Sequence, residues 1–192
     1  MTYHYTNRKK VTYYLYQKPT KKGKVRYFFS QKQSAGNPVN RLPEGYEVYE
    51  NPNAVVFLRK KQTPVITRDE ITLIEQGVRE HCQLPRYIID VKKNVIRVFI
   101  PDQDVDGLIK LFSKNFLLPK SEIMNSLENV LTYSPVMQFV LVDKDERLFQ
   151  AERYCYRGSI DDWIPIGLPN SLSKLAEKYL RHINKDSYFE LM

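Results

Sequence analysis

Cysteine is nearly absent: Cys82 and Cys155 are the only two in 192 residues. Two isolated thiols with no CxxC spacing give neither a disulfide framework nor a cysteine-pair metal site. They fit a reducing compartment, although a single disulfide stays open. Histidine is scarce as well. His4, His81 and His182 lie far apart and form no HxxxH pair. His81 and Cys82 are neighbours in a helical stretch, so their side chains point about 100° apart and do not readily share one metal. There is no GxGxxG, no phosphate-cradling glycine loop and no GxSxG, so the signatures of dinucleotide binding, P-loops and serine hydrolases are missing. No motif asks for a cofactor.

Long apolar runs are missing too. The longest are of the size of FVLV at 139–142, far below the roughly 20 residues of a membrane-spanning helix. The opening stretch MTYHYTNRKKVTYYLY is polar and basic and has no signal-peptide core. The expectation is a soluble, cytoplasmic protein without a membrane partner. Glycine is rare at 7 residues while proline reaches 11, which favours defined turns over flexible linkers.

What is present is an ordinary globular composition with a skewed charge map. Hydrophobic residues are 42% and charged residues 27%, and the length suffices for a core without a metal or disulfide staple. Residues 1–61 hold 13 Lys or Arg against 3 Glu, a net +10, while residues 62–192 hold 17 against 19, a net −2. Eight of the 14 tyrosines also fall in the first third. This asymmetry marks a basic, Tyr-rich β-hairpin segment (1–61) attached to a neutral α+β body (62–192). One continuous domain is equally compatible with the pattern.

Alternation and β-forming residues predict strands at Val11–Tyr16 and Val25–Ser30, joined by a loop with Pro19 and Gly23. QKQSAGNPVNRLPEG (31–45) has no periodicity and reads as a long loop, either mobile or functional. GYEVYE and AVVFLRKK form a second hairpin around Asn-Pro-Asn. Thr67 and Glu70 have capping-box spacing, and Ile71, Ile74, Val78 and Cys82 recur at helical intervals. Gly77 weakens this helix by about 1 kcal/mol relative to Ala, and Pro85 ends it. YIIDV and VIRVFI predict a third hairpin. Two helical stripes follow, one with Val105, Leu108, Ile109 and Phe112, the other with Ile123, Met124 and Leu127. VMQFVLV and FQAERYCY predict a fourth strand pair, and Leu172, Leu175, Ala176 and Tyr179 mark a last helix. Strands in hairpins and helices in blocks predict an α+β fold with antiparallel sheets and about four helices.

The basic hairpin carries the first candidate site. Val11, Tyr13 and Leu15 with Val25, Tyr27 and Phe29 make one face, the expected core face. Tyr14, Tyr16, Arg26 and Phe28 share the other, beside a loop with Lys18, Lys21, Lys22 and Lys24. Lysines release counterions from phosphates and exposed rings stack on unpaired bases. The bland alternative is a wet hairpin tip with rings covered by other segments.

Other constellations are weaker. Asp102, Asp104 and Asp106 before Gly107 match the front of an EF-hand loop, but Ser113 stands where calcium needs a bidentate Glu. Helix capping explains these acids equally well. Asp90 and Lys92 on one strand, with Glu75 or Glu80 from the preceding helix, have the residue types of a metal-dependent nuclease. Asp143, Asp145 and Glu146 read as a turn. RGSIDDWIPIGLP (157–169) reads as a loop in which Trp163 plugs the core. These readings rank a non-enzymatic binding or accessory protein contacting nucleic-acid backbone level with an adaptor or structural subunit. In the adaptor, Trp163, Tyr14 and Tyr16 anchor a partner and the lysines meet an acidic protein surface. A nuclease ranks third.

Overall fold

The computed structural model describes residues 1–82, 84, 86–116, 119–157 and 159–192. Helices and antiparallel sheets make the chain an α+β protein. It divides into two compact units, Met1–Gln62 and Thr63–Met192.

The first unit is all strand. β1 (His4–Thr6), β2 (Thr12–Pro19), β3 (Val25–Ser30) and the two-residue β4 (Asn37–Pro38) form one sheet with β2 at its centre. β3 takes one side of β2, and β1 and β4 share the other. β1 escaped the sequence pattern because three residues are too few to alternate visibly. β5 (Tyr46–Glu50) and β6 (Val56–Lys60) make the second hairpin. Asn7 ties the hairpins together: its Nδ2 donates to the Ala54 carbonyl at 2.6 Å, and its Oδ1 accepts from the Val11 amide at 2.8 Å. Both partners are needed because the Asn7 side chain is buried. The segment 31–45 is anchored rather than loose. β4 lies within it, and the backbones of Tyr3, Leu15 and Val39 exchange hydrogen bonds at 2.8–3.1 Å.

The core face of this sheet holds Tyr13 and Leu15, both buried. Val11 and Val25, assigned to that face by alternation, are exposed instead. They sit where the two strands leave the packed region, so position along the strand overrides its parity.

The second unit begins with α1 (Arg68–Cys82). Its capping box forms as the spacing requires: the Glu70 amide donates to Thr67 Oγ1 at 3.3 Å and the Thr67 amide to Glu70 Oε2 at 2.8 Å. Pro85, the stop that the sequence sets for this helix, lies outside the described residues. β7 (Ile88–Lys92) and β8 (Val95–Pro101) follow, then α2 (Val105–Phe116) and α3 (Lys120–Glu128). β9 (Tyr133–Asp143), β10 (Leu148–Arg157), β11 (Ile160–Pro165), the short β12 (Asn170–Ser171) and α4 (Leu172–Tyr179) complete the order, followed by two 3-10 turns. The sheet runs β11-β10-β9-β8-β7, with β12 also on β10.

Each face of this sheet has its own cover. Ile96, Val98, Met137, Phe139, Phe149 and Ala151 are buried in one cluster with residues of α1 and α4. Ile88 and Phe99 alternate to the opposite face and pack with the buried residues of α2 and α3. The segment 160–165, a loop by sequence, is a strand paired with β10 from Glu152 to Arg157. Two adjacent aspartates hide its alternation, and backbone pairing to an available neighbour creates the strand. Trp163 is half-buried on it. Trp163 is therefore not the core plug expected of it, whereas Ile166, three residues on, is fully buried.

Candidate functional site

The tip of the first hairpin is a closed turn. The Thr20 amide donates to the Lys24 carbonyl at 2.7 Å, and the Gly23 amide to the Thr20 carbonyl at 2.9 Å. Gly23 has φ +74°, a conformation that L side chains rarely adopt. The turn holds Lys21, Lys22 and Lys24 in solvent, and Lys18 and Arg26, paired across the strands, are exposed beside it. Among the described residues no ion pair involves these five cations.

The reason lies elsewhere in the unit. Its acids are Glu44, Glu47 and Glu50. Glu47 pairs with Arg59 at 2.7 Å, and Arg59 also lies 4.3 Å from the Tyr49 ring centre. Glu50 pairs with Arg8 at 3.0 Å and accepts from the Tyr5 hydroxyl at 3.0 Å. Arg8 further donates to the carbonyls of Asn51 and Pro52. Two carboxylates are thus satisfied at the second hairpin, and the lysine tip keeps its field.

Below the tip runs a groove of about 880 Å³. Four consecutive β3 residues, Arg26–Phe29, line one side and Val55–Leu58 line the other, with Lys18 and Lys21 at the tip end. Consecutive residues of a strand point to opposite faces, so the groove follows the strand edges. Among the described residues β3 pairs only with β2 and β6 only with β5, which leaves their other edges without a ladder partner. Among the described residues no carboxylate lines the groove. Its rings are ordered: Phe28 packs on Tyr16 with ring centres 6.1 Å apart, and Lys18 Nζ lies 5.3 Å from the Phe28 ring centre. Phe57, 47% exposed, stacks on Tyr49 at 6.3 Å and 29°.

The structure therefore brings together Lys18, Lys21, Arg26 and Phe28 in one groove, with Lys22 and Lys24 on the adjoining turn. Tyr14 is half-buried against His4. Tyr16 is a correction. It shares the alternation face of Phe28 but is only 3% exposed, because Phe28 and Pro38 flank it from the neighbouring strands. It supports the groove from behind and offers a partner no ring, which also removes one of the three adaptor anchors. Phe57 and the Val55–Leu58 wall went unnoticed in the sequence. The alternation of AVVFLRKK signals a strand but not which other strand lies beside it.

The remaining constellations resolve into structural roles. Asp90 pairs with Arg97 across β7 and β8, on the face opposite Ile96 and Val98. Glu75 and Glu80 belong to α1, which packs on the Ile96 face, so the sheet separates them from Asp90. The nuclease arrangement is not assembled. Instead a polar row crosses the sheet from Asp90 through Arg97 and Gln138 to Glu152. Arg97 Nε donates to Gln138 Oε1 at 2.7 Å, and Gln138 Nε2 donates to Glu152. The Arg97 guanidinium also lies 5.7 Å from the Trp163 ring centre, and Trp163 meets Tyr154 edge-on at 5.1 Å. The Tyr154 hydroxyl donates to Asp161, which raises its pKa above the usual phenol value.

Asp104 caps α2, its Oδ1 accepting from the Gly107 amide at 2.9 Å. Asp102 accepts from the Thr132 hydroxyl at 2.7 Å. Asp102, Asp104 and Asp106 therefore do not converge, and among the described residues no three acidic, His or Cys side chains are placed to hold a metal. Asp143 closes its turn by accepting from the amides of Asp145 and Glu146 at 2.9 and 3.0 Å. Burial pushes the Cys82 thiol up to about 11, and its Sγ donates to the Leu180 carbonyl at 3.1 Å, so it is a packing residue. Among the described residues no helix is long and apolar enough to cross a membrane.

Compared with family models, curated proteins and solved structures, the chain matches none.

Proposed function

We propose that Met1–Gln62 is a non-catalytic binding unit that holds a nucleic acid by its phosphate backbone. The observation that carries this reading is the carboxylate-free groove with Lys18, Lys21 and Arg26 on its walls and Lys22 and Lys24 on the adjoining turn. Cations left without intramolecular carboxylate partners keep their attraction for an external polyanion, within a Debye length of about 10 Å at ordinary ionic strength. Each phosphate contact releases counterions, so binding free energy comes largely from salt. Backbone contacts of this kind position a nucleic acid without reading its sequence.

The test is direct. Full-length protein binds a labelled oligonucleotide at low salt, and the triple reversal Lys21→Glu, Lys22→Glu, Lys24→Glu removes that binding while the circular dichroism spectrum is unchanged. The side chains are exposed on a turn closed by Thr20 and Gly23, so the reversal leaves the fold intact. Affinity that survives both the reversal and added salt overturns the proposal.

A further inference from the structure

Resting on that reading, we infer that the groove accepts a single strand with unpaired bases and discriminates against a duplex. The groove is not only cationic. Phe28 and Phe57 stand on its two walls, each backed by a second ring, Tyr16 behind one and Tyr49 behind the other. Phe57, 47% exposed, and the partly exposed Phe28 are stacking platforms braced in this way. A duplex offers phosphates outside and keeps its base faces stacked inside, so these platforms gain nothing from it. An unpaired base presents its face, and stacking on an aromatic ring is largely independent of base identity. Lys18 Nζ lies over the Phe28 ring at 5.3 Å, so a base stacks there once this flexible side chain swings aside to a phosphate, as phosphate and base alternate along a strand.

The same geometry disfavours a peptide strand laddered to both walls. A strand inserted between β3 and β6 with ladders on both sides needs about 9.6 Å between them, twice the usual interstrand spacing. Cα atoms of β3 and β6 approach to 8 Å or less. The groove walls also lack the carboxylates that a basic or neutral peptide would use, and three cations favour an anion.

The experiment measures fluorescence anisotropy of full-length protein with a labelled oligothymidylate of about 15 nucleotides, a size at the upper end of a single-strand site. Unlabelled single strand, a hairpin duplex of matched charge and polyglutamate serve as competitors. The single strand is expected to compete at least roughly tenfold better than the duplex, and Phe57→Ala to weaken single-strand binding about 5- to 150-fold, pulling the preference toward one. The competition on unmodified protein stands even if the variant misfolds. Equal competition by single strand and duplex overturns the inference and leaves the phosphate-binding proposal standing. Polyglutamate competing as well as the single strand overturns it in favour of an acidic protein segment. Loss of all nucleic-acid binding overturns both.

Discussion

Salt dependence is the sharpest quantitative consequence of the groove. Five exposed cations, Lys18, Lys21, Lys22, Lys24 and Arg26, have no ion-pair partner among the described residues. If each meets one phosphate of a single strand, the slope of log K against log salt is about −3.5, from roughly −0.7 per contact. Raising salt from about 50 to 200 mM then weakens binding about 130-fold. Neutralising Lys21, Lys22 and Lys24 to Gln leaves two contacts, a slope of about −1.4 and only about a sevenfold loss over the same range. The assay is an anisotropy titration at several salt concentrations, with thermal melting as a control for the exposed substitutions. The turn is held by Thr20 and Gly23 rather than by the lysines, so melting should not move. A slope that stays near −3.5 in the neutralised protein would refute the assignment of these lysines, since their contacts would be absent from the binding equilibrium.

The body of the protein offers two further tests. Gly77→Ala gains about 1 kcal/mol of helix propensity but builds a Cβ 2.6 Å from Leu180 Cδ1, so the fully buried Leu180 side chain must shift. Overpacking of roughly 1–3 kcal/mol outweighs the gain. A net loss near 1 kcal/mol, or about 3–5 °C in Tm, is expected, and a stabilised variant would show that Leu180 can move. Glu70 tests pH linkage. Burial pushes its carboxyl up, but hydrogen bonds from Arg147 and Thr67 outweigh this and the net shift is down. The unfolded chain therefore binds more protons than the folded one below the ordinary Glu value of about 4.3. The contribution is present above that pH and lost as pH falls through the depressed folded value. Arg147 is about a third exposed, so screening leaves roughly 1 kcal/mol. Urea midpoints of the parent and of Glu70→Gln should differ at pH about 6 and converge toward pH about 3; a difference that ignores pH would detach Glu70 from the effect.

Local chemistry determined the elements. Alternation in 12–16 and 25–30 makes strands, the Thr67–Glu70 spacing starts α1, and the stripes of 105–112 and 172–179 make helices, because each signal is carried by residues within a few positions of one another. The charge map was legible for the same reason, since counting residues requires no fold. What lay beyond the sequence was every decision made by distant neighbours. Alternation puts Tyr16 on a wet face, and Pro38, more than twenty residues away along the chain, buries it. Helix propensity makes Gly77 a weakness, and the Leu180 side chain packed 2.6 Å from where a Cβ would stand opposes that reading. The residues that would form a nuclease site are close in sequence, and the sheet stands between them. Phe57 becomes a wall of the groove only because β6 settles beside β3. Burial of apolar area is nondirectional, so it is maximised by the whole unit at once and leaves no short-range mark from which such pairings can be read.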